Sequence, residues 1–214
     1  MVSKNEIDVM QSILRLRDRG ALFVINHSGG KDSQAMYLHV RALVPREQIV
    51  IVHADLSVVE WAGAISHIEQ TTAGEPLHIC KSRRTLLEMI SERGMFPSPS
   101  LRQCTSDTKR GPLERTIRRI TKNRKALGKD AWGLVINCMG MRAQESSNRA
   151  KLEPLKLSTS NSKAGREWYD WLPIHDWSKD KVFECIASAG QKPHVIYELG
   201  MTRFSCAFCV MSSE

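Results

Sequence analysis

The sequence predicts an α/β fold, a parallel twisted sheet with helices on both faces. Short apolar, β-branched runs alternate with stretches of helical periodicity along most of the chain. The first of those runs, Ala21-Leu22-Phe23-Val24-Ile25, leads through Ser28-Gly29-Gly30-Lys31-Asp32-Ser33 straight into a helical pattern. A chain of 214 residues, 42% of them hydrophobic, can bury the core of one such domain with a small appendage.

The elements follow in order. Ile7, Met10, Ile13, Leu14 and Leu16 recur at roughly helical spacing, which places a helix over 5–19 ahead of the first strand. A helix from Ser33 to Ala42 follows the glycine loop. Ile49–Asp55 reads as a second strand, β-branched and polar at its end. A helix over 60–72, a strand over 77–80 and a helix over 86–93 come next, the last stopped by Gly94 and the Pro97/Pro99 loop. Pro112 suits the first turn of a further helix. Gly133 to Cys138 is a fourth apolar strand. Residues 156–167 are polar and rich in Ser, Gly and Lys, and are expected to form a mobile loop. Ser178 caps a helix through about Ser188, which Gly190 and Pro193 end. The change of pattern divides the chain into a domain over 1–155 and a C-terminal extension over 156–214, packed on it. There is no internal repeat.

The turn at 28–33 has the chemistry of a pyrophosphate cradle. Two glycines let the backbone bend sharply and come close to an anion. The helix that starts there aims free N–H groups and the positive end of its dipole at that anion. Lys31 adds a point charge, and Ser28 and Ser33 add hydroxyl donors. The spacing is tighter than a Walker loop, and an Asp follows the Lys. Parallel sheets bind ligands at the carboxyl ends of their strands, so Ser28, Asp55 and Arg142 are expected to converge.

Composition narrows the classes. No apolar stretch approaches a membrane span, and Met1-Val2-Ser3-Lys4-Asn5-Glu6 lacks the form of a signal peptide, so a cytoplasmic protein is expected. Six cysteines then read as thiols or metal ligands rather than disulfides. A net charge of +8 suits a polyanionic partner. Much of the excess lies between Arg102 and Lys129, where Arg115, Arg118, Arg119 and Lys122 recur at helical spacing. A solvated helix face is the competing reading of that stretch. Aromatics are not interleaved with the cations, so a single-strand stacking platform is not indicated.

The hexapeptide 28–33 is the signature of the PP-loop, or N-type, ATP pyrophosphatases, which this chain resembles. The resemblance runs over roughly 20–209 and narrows to the phosphoadenosine phosphosulfate (PAPS) reductase-like superfamily. It rests also on His53-Ala54-Asp55-Leu56 with Glu60-Trp61, on Gly140-Met141-Arg142-Ala143-Gln144-Glu145-Ser146-Ser147-Asn148-Arg149, on Trp171-Leu172-Pro173-Ile174, and on the stretch from Tyr197 to Cys209. It implies an adenine nucleotide α-hydrolase-like, Rossmann-like fold that cleaves ATP between its α and β phosphates and adenylates a substrate oxygen. Ser28, Gly29, Gly30, Lys31, Asp32 and Ser33 would hold the phosphates with Mg²⁺. Arg142 would steady the leaving pyrophosphate, and Asp55 would lie near the adenosine. Lys31, Asp32 and Arg142 are then the candidate catalytic residues. Asp55 also reads as a turn or capping Asp, His53 as a packed histidine, and Glu145 with Arg149 as an i, i+4 pair.

The cysteines extend the resemblance. Cys206-Ala207-Phe208-Cys209 is a Cys-x-x-Cys just after Arg203, and Cys104 precedes Lys109 and Pro112-Leu113. This pattern is similar to that of sulfonucleotide reductases and of the DNA-phosphorothioation members, where such cysteines hold a [4Fe–4S] cluster. Thiolates also suit zinc, and a Cys-x-x-Cys can be a redox pair. Cys138, at the active-site end of a strand, is the candidate fourth ligand ahead of Cys185 and Cys80. The chain ends five residues past Cys209, at Glu214, where related sequences continue, so a fragment is expected.

The leading expectation is an ATP-dependent adenylating sulfurtransferase acting on DNA or tRNA, served by a sulfur donor protein. A PAPS or APS reductase is the alternative; it would need a nucleophilic cysteine on a Glu-Cys-Gly-type tail, and none is present. A sulfate adenylyltransferase small subunit would not need the three cysteines. A phage or prophage regulator that binds nucleotide or DNA without turnover is the non-enzymatic reading. Oligomeric state is not legible.

Overall fold

The strands β1 (Leu22–Asn26), β2 (Ile49–Asp55), β3 (Leu77–Lys81), β4 (Leu134–Met139), β5 (Leu155–Leu157) and β6 (Glu167–Trp171) form one sheet in the order β3–β2–β1–β4–β6–β5. This computed structural model describes residues 4–72, 74–126 and 133–211, so Lys129 lies outside the described residues. All neighbours are parallel except β5, which runs antiparallel to β6. The helices are α1 (Lys4–Asp18), α2 (Lys31–Leu43), α3 (Ala64–Thr71), α4 (Leu86–Arg93), α5 (Gly111–Ala126), the single-turn α6 (Ser147–Ala150) and α7 (Lys179–Ser188). None of the described helices is long and apolar enough to cross a membrane.

The central strands are buried on both faces, which is why they read as continuous apolar runs rather than alternating ones. Phe23, Ile25, Ile51, Ile136 and Trp171 face α1, α2 and α7, where they meet Ile13, Met36, Val40 and Ile186. Leu22, Val24, Val50, Val52, Val135 and Trp168 face the other way, onto Ile117 of α5. Each such side chain, fully buried, stabilises the fold by about 1.5–3 kcal/mol. Two layers of helix thus clamp the sheet, and its carboxyl edge is left to the loops.

Local signals set most boundaries. Thr85 caps α4 in a capping box with Glu88, and Gly94 ends it at φ 66°. Ser178 caps α7 by accepting from Lys181 N. Two expectations change. The helix foreseen over 60–72 starts only at Ala64, because Gly63 is left-handed (φ 82°) and a 3₁₀ turn, Ser57–Val59, precedes it. The stretch 156–167 is not a free loop. Ser158 N donates to Trp168 O (2.8 Å), Trp168 N to Ser162 Oγ (3.0 Å), and Asn161 Nδ2 reaches Glu114 of α5 (3.3 Å). Polar side chains here satisfy the backbone and dock it, while Trp168 anchors β6 in the core.

Candidate active site

The phosphate loop is built where β1 ends and α2 begins. Gly29 takes φ +84°, a left-handed conformation that favours glycine, and Gly30 is the extended N-cap of α2. The loop is braced from within. Gly29 N donates to His27 Nδ1 (3.0 Å), Ser28 N to Ser33 Oγ (3.2 Å), and Ser33 Oγ to Gly30 O (2.8 Å). Burial, then the neighbouring His53 and His67, push the His27 pKa down to about 3, so the ring is neutral and accepts at Nδ1. His27 escaped sequence reasoning because nothing in the sequence says that this histidine is enclosed.

The neighbours Lys31 and Asp32 meet Arg142, 110 positions beyond Asp32, at the mouth of the loop. Lys31 is buried, with Nζ 2.9 Å from Asp32 Oδ2. Asp32 Oδ1 lies 2.6 Å from Arg142 Nε, and Arg142 is itself only 5% exposed. Arg142 is held in turn. Its N–H donates to Glu145 Oε2 (2.9 Å), and its Nη1 to Trp177 O (3.4 Å). Glu145 also pairs with Arg149, across the extended Ser146, and stands 3.8 Å from Arg203 Nη2. Gly140 makes this docking possible: a Cβ there would lie 3.0 Å from the Asp32 carbonyl carbon and oxygen and 3.1 Å from Ser33 N. Ser28, Lys31, Asp32, Ser33 and Arg142 therefore form one constellation.

Asp55 is not brought into it. Its carboxylate accepts from Ser57 N (2.6 Å) and pairs with Lys81 Nζ (2.9 Å) on the β3 side. Burial raises its pKa, but the Lys81 and Ser57 hydrogen bonds outweigh that and hold it below the usual range. The strand tip points its acid away from the loop, a direction that position at the strand end does not specify.

His53 lies beneath the loop, its Nδ1 2.9 Å from His27 O and its Nε2 3.3 Å from Glu60 Oε2. Nε2 lacks hydrogen-bond alignment, so the Glu60 contact is read as an ion pair. Burial lowers the His53 pKa, yet Glu60, the His27 carbonyl and Asp55 together raise it above the ordinary imidazole value. A raised folded-state pKa means the pair stabilises fully below the unfolded value of about 6.5 and is lost as pH rises through the folded one. Glu60→Gln removes one partner of this buried pair and is expected to lower stability at about pH 6. The gap between its melting temperature and that of the wild type should close as pH rises above neutrality; a gap that does not depend on pH would refute the charged pair.

Cys104, Cys206 and Cys209 line one cavity of about 270 Å³. A π-helical turn, Thr105–Arg110, runs straight into α5, and it sets Cys104 and Lys109 on this wall. Arg102, Arg149 and Arg203 line it too. Burial raises the Cys206 thiol pKa, while Lys109 opposes it. A second cavity, about 90 Å³ and walled by Asn26, His27, Ser28 and Val52, lies beside the phosphate loop. The two share Leu56, Lys109, Phe204, Ser205 and Cys206, so the loop and the thiols are neighbours.

Cys138 is corrected by the structure. It is wholly buried in the main core, with Sγ 3.7 Å from Ile136 O, and burial pushes its thiol pKa well up. Cys104 and Cys206 pack instead against the separate cluster of Val59, Leu86 and Met89. Strand alternation turns Cys138 towards α2, so nearness to the strand end did not make it a ligand. Among the described residues, no three Cys, His, Asp or Glu side chains are gathered closely enough to hold a single metal ion.

A family profile for the phosphoadenosine phosphosulfate reductase domain matches residues 23–212, nearly the whole chain. The chain belongs to the PAPS reductase domain family. An uncharacterised 37.8 kDa protein of Escherichia phage 186 is 30% identical over 156 residues. That match covers 72% of this chain but 44% of the relative, so the chain spans less than half of it. Among solved structures, PAPS reductase from Candida auris in a phosphate complex superposes with a TM-score of 0.58 at 16% identity, covering 96% of both chains. FMN adenylyltransferase from Candida glabrata, bound to FAD and inorganic pyrophosphate, gives 0.53 at 11% identity, over 97% of this chain and 66% of that one. These likenesses show the adenine nucleotide α-hydrolase-like fold, and the PAPS reductase family is one of nucleotide-binding enzymes.

Proposed function

We propose that the chain is an ATP-dependent adenylating enzyme that prepares a nucleic acid for sulfur transfer. One observation carries this reading: the intact loop Ser28–Ser33, with Lys31, Asp32 and Arg142 at its mouth, shares walls with the cavity of Cys104, Cys206 and Cys209. A substrate oxygen attacks the α-phosphorus of ATP, and the bond to the β-phosphate oxygen breaks. Pyrophosphate leaves into the loop, where backbone N–H groups, Lys31 and Arg142 meet its growing charge. Sulfur from a separate donor then attacks the carbon or phosphorus that bears this oxygen, and AMP leaves with the oxygen. The net positive charge and the exposed cations Arg115, Arg119 and Lys122, spaced along one face of α5, suit DNA or tRNA.

The donor set at the loop bears on Mg²⁺. Asp32 offers a carboxylate, but both its oxygens already face cations. A Mg²⁺ ion here would be carried chiefly by the phosphates themselves, as Mg²⁺ in such sites commonly is. The thiol cavity suits an iron–sulfur cluster better than zinc. A [4Fe–4S] cluster takes its thiolates on separate irons, whereas one zinc ion needs them converged, which they are not. Cys104, Cys206 and Cys209 would hold such a cluster, with the fourth position open, and it would supply one-electron redox chemistry. After anaerobic reconstitution with iron and sulfide, the wild type and Cys138→Ala should both bind iron and show visible cluster absorption, and Cys206→Ser should lose both. Loss of iron from Cys138→Ala with retained folding would restore Cys138 as a ligand.

The deciding experiment is release of AMP and pyrophosphate from ATP and Mg²⁺ across DNA, tRNA and sulfate. Stimulation by a nucleic acid supports the reading, and stimulation by sulfate alone overturns the choice of acceptor. The family profile favours one second reading, sulfonucleotide reduction. Sulfite formed from PAPS or APS with a thiol reductant, without ATP turnover, would establish it instead.

A further inference from the structure

The donors that make the loop an anion cradle are engaged by the chain's own C-terminal segment. The N–H of Lys31, at the start of α2, donates to Tyr197 Oη at 3.0 Å. The Lys31 ammonium donates to Thr202 O at 3.3 Å and stands 5.1 Å from the centre of the Tyr197 ring. Phe204 covers both glycines: a Cβ on Gly30 would lie 2.5 Å from Phe204 Cβ, and one on Gly29 3.0 Å from Phe204 Cζ. His194 backs Phe204 edge-on at 5.1 Å, and His67 backs His194 at 5.2 Å. Beyond the ring, Ala207 N donates to Val59 O at 2.9 Å and fastens the segment down.

A polyphosphate needs the same N–H, the same ammonium and the same open approach to the glycines. A donor already satisfied by a phenol or a carbonyl must exchange partners to take a phosphate oxygen. We propose that residues 197–204 form a strap that competes with nucleotide phosphates for the loop and is displaced when they bind. The strap continues within two residues into Cys206, which lines the thiol cavity together with Cys104. Displacement therefore shifts Cys206 against Cys104, and phosphate occupancy is coupled to the state of the thiols. That coupling is reciprocal, so a thiol state that pins the strap weakens phosphate binding by the same factor. The proposal rests on the reading that this loop binds ATP.

Inorganic pyrophosphate is the probe, titrated calorimetrically into the reduced wild type, Tyr197→Phe and Phe204→Ala. Melting curves taken without pyrophosphate confirm that each variant is folded. Tyr197→Phe frees the Lys31 N–H and is expected to bind about fivefold tighter, the worth of one ordinary hydrogen bond; Phe204→Ala should also bind tighter. Saturating pyrophosphate should speed alkylation of Cys206 by N-ethylmaleimide, read by peptide mass spectrometry. Weaker or unchanged binding by folded Tyr197→Phe, or a Cys206 rate that ignores pyrophosphate, overturns the strap while leaving the loop's function intact. Failure of all three proteins to bind either pyrophosphate or ATP with Mg²⁺ overturns the loop reading and the strap with it. Binding by the variants but not by the wild type would be the strongest form of the expected result.

Discussion

On the proposed adenylating activity, Lys31→Ala is expected to lower release of pyrophosphate about 10²–10³-fold, the usual consequence of removing one preorganised group that meets developing charge. The size follows from its surroundings. Lys31 is 2% exposed, so its charge acts across little water and its field at the loop is weakly screened. No neighbour replaces it, because Arg142 approaches from the far side of Asp32 and is fixed there by Glu145 and Trp177. The fold should survive, since Asp32 keeps its 2.6 Å contact with Arg142 when Lys31 is gone. A fall in turnover with little change in melting temperature is therefore expected. Turnover that persists in a folded Lys31→Ala would remove the loop from the reaction.

Gly140→Ala should damage the same site from behind. Its Cβ would stand 3.0–3.1 Å from three backbone atoms of Asp32 and Ser33, in the first turn of α2. Backbone cannot swing aside as a flexible side chain does, so the helix start must shift by a few tenths of an ångström. Overpacking of this kind costs about 1–3 kcal/mol, a fall in melting temperature of about 2–4 °C for each kcal/mol at this chain length. The functional loss is larger, about tenfold or more in kcat/KM for ATP, because small misplacements of positioning groups carry steep penalties. Unchanged melting and unchanged kinetics would show that β4 and the loop do not constrain each other.

Much of the fold was legible because its signals are local. The helix Leu86–Arg93 has its stop written beside it in Gly94, and Ser178 marks the start of α7. The run Ile49–Asp55 is a strand whose first four residues are apolar and β-branched because they are buried on both faces. The edge of the sheet was not legible. β5 and β6 carry Lys156, Glu167 and Asp170 among their apolar residues, and their pairing depends on Trp168 reaching α5 and on serines that close the turn. No local preference encodes those contacts.

The site divides the same way. The order Ser-Gly-Gly-Lys-Asp-Ser after a strand determined by itself the glycine turn and the helix start that make 28–33 a candidate anion loop, because backbone freedom, helix dipole and charge are properties of neighbouring residues. Glu145 does pair with Arg149, but not along one helix: extended Ser146 separates the 3₁₀ turn that holds Glu145 from α6. Which distant groups complete the loop was decided only by the tertiary structure. The parallel sheet carries Arg142 to Asp32 but turns Asp55 towards Lys81, and side-chain alternation buries Cys138 away from Cys104, Cys206 and Cys209. The direction of a side chain at a strand's end depends on the register and twist of the whole sheet. The covering of Gly29 and Gly30 by Phe204 joins residues 170 or more positions apart, a contact set by packing and by no pattern within either segment.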